Sequence, residues 1–207
     1  MKSLQAERVQ WVALTVVGLV AGLGLALPLG VPIFAILGAM AGTPVVLGLV
    51  GVGLGTAQWP IIRRYCRRSW LWILASACGM ALGLTIGVTM VEQIGRAITG
   101  GQVNFRMLGF ATRALSFGVI GAWGGGLVGL SQWLVLRRQT PHCAAWIYIN
   151  AWSLGAGLAC GSMLADALMF RSGSLVSTSI LLITGSGLAG VCTARALTRI
   201  FPKQEVV

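Results

Sequence analysis

Acidic residues and histidine are almost absent. Of 207 residues, four are Asp or Glu and one, His142, is histidine. That excludes paired carboxylates for acid/base work, a His pair for haem or a two-metal site, and a base inside the apolar stretches to activate a serine. A phosphate-cradling glycine loop and the aspartate cluster of lipid phosphotransferases are missing too. The five cysteines (Cys66, Cys78, Cys143, Cys160, Cys192) have neither CxxC nor metal-ligand spacing, so they read as small apolar packing residues. The inventory points to a protein that is not an enzyme and that carries no cofactor and no metal.

Charge of either sign is scarce as well. Charged residues make up 9% of the chain and hydrophobic ones 57%, where a soluble domain carries about 25% charged residues. Mean hydropathy is +0.87. Residues 9–62, 69–91, 114–136, 139–165 and 172–194 are free of charge, and a spanning helix needs about 20 such residues. The first stretch has room for two spans, with a turn expected at Leu27-Pro28-Leu29-Gly30-Val31-Pro32. Six spans follow, near residues 9–27, 33–62, 69–91, 108–136, 144–170 and 175–200. Pro44 should kink the second, and Pro60 should loosen its end. Lys2 and Arg8 ahead of the first span resemble a signal sequence, but this span matches later ones and reads as a retained helix.

What the chain does have is an internal repeat. Residues 51–64 (GVGLGTAQWPIIRR) and 125–138 (GGLVGLSQWLVLRR) align without a gap at an offset of 74. Trp11, Gly18, Gly22 and Leu23 recur as Trp72, Gly79, Gly83 and Leu84, and more loosely as Trp146, Ser153, Gly157 and Leu158. Three tandem helix hairpins, about residues 9–64, 69–138 and 143–200, explain this better than two halves of three spans. The expected fold is an all-α, polytopic transmembrane helical bundle, one domain over residues 1–207, with approximate threefold symmetry about an axis along the membrane normal. Glycines spaced by four (Gly79, Gly83, Gly87; Gly121, Gly125, Gly129; Gly157, Gly161) should let the helices approach closely, and a leftover row would allow dimerisation.

The net charge of +11 is a topology signal before it is a nucleic-acid signal. Once six spans are drawn, eleven of the 15 basic residues fall on one side: Lys2, Arg8, Arg63, Arg64, Arg67, Arg68, Arg137, Arg138, Arg195, Arg199 and Lys203. Positive charge stays on the cytoplasmic face, which places both termini there. Arg63, Arg64, Arg67, Arg68, Arg137 and Arg138 also form a candidate docking face for anionic lipid or a partner subunit. Trp11, Trp59, Trp72, Trp133 and Trp146 lie at this boundary and read as an aromatic belt, whereas Trp123 and Trp152 read as packing residues.

Two sets of polar residues remain. Thr15, Ser76 and Asn150 each stand four residues after a repeated Trp, and Gln58, Gln132 and Thr193 occupy the matching place in the returning spans. The six should share one layer roughly 6–10 Å inside the boundary, either lining a vestibule or hydrogen-bonding the repeats together. Glu92 and Asp166 sit at the opposite ends of their helices. Arg96 is one turn beyond Glu92, and Arg113 is the candidate partner for Asp166; salt bridges are expected, with a proton- or cation-coupled site as the alternative.

The run Gly-x-x-Gln-Trp-x-x-x-x-Arg-Arg followed by Trp and small residues resembles a motif in multi-spanning membrane proteins of cyanobacteria and related bacteria. Residues 129–138 with 146–157 carry it best, and residues 55–64 with 72–83 are the second copy, with Pro60 where an aliphatic residue is usual. This resemblance implies a bacterial inner or thylakoid membrane and brings no established activity. Mitochondrial carriers also have three two-helix repeats, but their Pro-x-acidic-x-x-basic signature is missing. The substrate-binding components of energy-coupling-factor vitamin transporters are similar in size, and Gly18, Gly22 and Ala26 match the small-residue face of their first helix. The expected function is an accessory or assembly subunit of a membrane complex; the alternative is a small-solute transporter or its substrate-binding component.

Overall fold

In a computed structural model the described residues, 2–100, 109–137, 143–168 and 174–200, are all-helical and contain no strand. Five helices follow in order: α1 (Lys2–Ile62), α2 (Leu71–Thr99), α3 (Phe110–Leu136), α4 (Ala145–Leu168) and α5 (Ser174–Ile200). Among the described residues, α1 to α4 contain segments long and apolar enough to cross a membrane.

Helix α1 is too long to be one rod, and it folds back on itself. Gly38 breaks it, with φ 70° and ψ 174°, a conformation open to glycine and strained for residues with a Cβ. The two limbs then lie side by side, because a Cβ on Gly22 would meet the Val50 backbone and one on Gly53 would meet Gly22. This corrects the turn expected at residues 27–32: Pro28 and Pro32 lie within the helix, as does Pro44. A proline removes one donor and strains one turn, whereas reversing the chain needs the left-handed backbone of Gly38.

The elements close a ring. α1 packs on α2 and α5, α2 on α3, α3 on α4, and α4 on α5. Glycines set these approaches. Gly51 faces the Ser76 carbonyl, Gly79 faces Val128, Gly125 faces the Asn150 carbonyl, Gly157 faces Gly185, and Gly190 faces Val12. At each seam a side chain would press into neighbouring backbone, and close backbone contact is the principal attraction between helices in lipid.

Candidate functional site

The core divides into layers along the ring's axis. The first is three tryptophans. Trp11 and Trp72 are wholly buried, Trp146 is 1% exposed, and each ring meets the other two edge-on. Their centroids are 6.3, 6.2 and 5.9 Å apart, with interplanar angles of 70°, 75° and 61°. Each such pair contributes about 0.5–1.5 kcal/mol beyond the burial of its area. These three are therefore a core cluster rather than the boundary belt expected. Trp123 and Trp152, expected as packing residues, are exposed.

The reason lies in helical spacing. Trp11 and Thr15, Trp72 and Ser76, and Trp146 and Asn150 are four residues apart, hence on one helix face. A polar residue in an apolar span turns inward, and its Trp neighbour must do the same. Trp59 and Trp133 directly follow Gln58 and Gln132, so they point away from that face. Each sits 5.3 Å beneath the guanidinium one turn on, Arg63 over Trp59 and Arg137 over Trp133.

Beneath the tryptophans lies the polar layer. Thr15, Gln58, Ser76, Gln132, Asn150 and Thr193 are all buried. The Trp72 indole donates to Gln58 Oε1 (3.0 Å), and Gln58 Nε2 donates to Thr15 Oγ1 (3.0 Å). One repeat later, Trp146 donates to Gln132 Oε1 (2.9 Å), and Gln132 Nε2 donates to Ser76 Oγ (2.9 Å). Trp11 makes the third start, donating to Thr193 Oγ1 (2.9 Å). Threonine is too short to continue the relay: Thr193 donates to the Ala189 carbonyl (2.6 Å), and Asn150 turns its amide to the Trp146 carbonyl (2.8 Å).

A cavity of about 40 Å³ remains between this layer and the apolar one below, where Leu19, Leu54, Met80, Val128 and Leu154 line it. A water needs roughly 10–15 Å³ measured this way, and ligand clefts run to about 300–1,000 Å³. By volume the space could hold no more than a few water molecules and falls far short of a ligand cleft.

The acidic residues lie elsewhere. Arg113 on α3 holds Asp166 on α4 at 2.6 Å, with side-chain exposures of 18% and 13%. Arg96 and Glu92 are 3.4 Å apart and more exposed. Among the described residues no three His, Cys, Asp or Glu side chains lie close enough to hold a metal ion.

At the arginine end, Arg63, Arg64, Arg67, Arg68 and Arg137 are exposed; Arg138 and His142 lie outside the described residues. Sequence reasoning missed how this end is tied together. The Tyr65 hydroxyl donates to Glu7 Oε1 (2.6 Å), Arg8 donates to Thr198 Oγ1 (2.9 and 3.2 Å), and the Trp59 indole donates to Ser69 Oγ (2.9 Å). Burial, followed by the hydrogen bond to Glu7, pushes the Tyr65 hydroxyl up to about 12. Burial alone pushes the Cys66 thiol up to about 11.

No family model, curated protein or solved structure matches the chain. By class, the described residues form an all-helical, multi-helix protein in which four helices are long and apolar enough to cross a membrane.

Proposed function

We propose that the chain is a non-enzymatic integral membrane protein acting as an accessory or assembly subunit packed within a larger membrane complex. One observation carries this reading: the polar side chains of the core layer hydrogen-bond to one another or to helix carbonyls, around a cavity of about 40 Å³. What such a protein offers is its surface. Large apolar side chains, among them Val31, Ile36, Met40, Leu115 and Trp152, face outward along its helices.

The finer architecture belongs to the same proposal. The two limbs of α1 and the four other helices make six spans in three hairpins, related by an approximate threefold axis along the membrane normal. Near-equal spacing of Trp11, Trp72 and Trp146 supports this, as do indole bonds to Thr193, Gln58 and Gln132. Both termini are cytoplasmic, in a bacterial inner or thylakoid membrane.

Co-purification after mild solubilisation tests the proposal. A stoichiometric membrane partner is expected, and a homogeneous lone protein overturns it. Small-solute transport would draw on Asn150 and Gln132, whose amides are already engaged inside the bundle. Substituting them should lower the amount of folded protein; loss of uptake at unchanged expression would favour transport instead.

A further inference from the structure

Between α2 and α3, at the arginine end, an open groove of about 1080 Å³ combines two guanidinium groups with an apolar wall. We propose that it binds one anionic phospholipid, the phosphate against Arg67 and Arg68 and an acyl chain along Leu71, Leu74, Cys78 and Leu134. The inference rests on the membrane-protein reading above.

The repeat isolates this groove from the general positive charge of that face. Arg63 and Arg64 recur 74 residues later as Arg137 and Arg138, as a topology signal should. Arg67 and Arg68 do not recur, for Pro141 and His142 stand at that offset. The wall differs in the same direction. Leu74 and Cys78 stand where the next repeat has Tyr148 and Trp152, so α2 carries smaller side chains where α4 carries aromatic ones.

Both arginines are exposed, as are Leu74, Cys78 and Leu134. Cys78 lies seven residues beyond Leu71, hence about 10 Å deeper along the helix. A headgroup-level pair of planar cations suits a phosphate diester. An apolar wall running inward from it suits the attached chain, which neither free phosphate nor an acidic peptide supplies.

The test is native mass spectrometry of the full chain in detergent, titrated with phosphatidylglycerol, phosphatidylcholine or inorganic phosphate. One phosphatidylglycerol adduct is expected, neither matched by phosphatidylcholine nor displaced by phosphate. Arg67→Gln with Arg68→Gln should weaken it about thirtyfold, and either alone about fivefold. Cys78→Trp should abolish it with the charge intact, and Arg63→Gln with Arg64→Gln should change it little. Equal retention of phosphatidylcholine, displacement by phosphate, undiminished binding in the Arg67/Arg68 variant, or equal loss in the Arg63/Arg64 variant overturns the proposal. Should Cys78→Trp fail to fold, the arginine variants decide, since both side chains are exposed. Carbonate extraction separates the two readings. A chain retained in membranes without lipid selectivity sinks the groove alone, and a chain released into the soluble fraction sinks both.

Discussion

Gln132 joins two repeats through one side chain: it accepts the Trp146 indole N–H at 2.9 Å and donates to Ser76 Oγ at 2.9 Å. Gln132→Leu keeps the approximate volume and orphans both partners. An unpaired buried polar group costs about 1–3 kcal/mol, tempered in membranes because the unfolded helices also find partners. A loss of about 1–2 kcal/mol is expected, read from the unfolding midpoint in mixed detergent. Adding Trp146→Phe removes one orphan, so the double variant should lose less than the sum of the singles; strict additivity would show that the bond contributes nothing.

Glycine seams predict position-specific intolerance. A Cβ at Gly125 or Gly51 would meet the backbone carbonyl of the facing helix, whereas one at Gly24 meets nothing within 4 Å. Gly125→Ala and Gly51→Ala should force their helices apart and lower the yield of folded protein. Gly24→Ala should be neutral or stabilise by up to about 1 kcal/mol through helix propensity. Equal tolerance at all three positions would contradict the packing.

The two acid–base pairs should differ. Asp166→Asn removes the charge that Arg113 meets at 2.6 Å, and losing a charge-assisted bond in a part-buried pair costs about 1.5–3 kcal/mol. Glu92→Gln breaks an exposed i,i+4 pair of roughly 0.3–0.5 kcal/mol. Comparing the two unfolding midpoints checks the ranking, and an Asp166→Asn midpoint no lower than that of Glu92→Gln would refute it.

Tyr65 should mark the arginine end in alkaline titration. Its hydroxyl is raised to about 12 by burial and then by the bond to Glu7. The folded state keeps the proton longer than the unfolded one, so this contribution is intact below pH 10 and is lost as pH climbs from about 10 to 12. In a Tyr148→Phe background, ultraviolet absorbance should report a late tyrosinate step, and Glu7→Gln should move it earlier. A midpoint near 10, insensitive to Glu7, would contradict the contact.

The sequence by itself determined what depends on composition and spacing along one helix. Scarce charge and long apolar runs dictate helices fit for a membrane, and the 74-residue offset identifies Gln58 with Gln132 and Trp72 with Trp146 as equivalent. Which face a side chain presents was half legible: the i,i+4 spacing of Trp11 and Thr15 already ties the ring to the polar group, although depth alone suggested a belt. Tertiary structure decided the rest. Prolines at 28 and 32 looked like the turn, but the reversal falls at Gly38, where the left-handed backbone is accessible. Whether six polar residues open a vestibule or close on one another depends on distances between helices. Those distances are set by glycines meeting carbonyls across seams, a relation between segments far apart in the chain that no local pattern encodes.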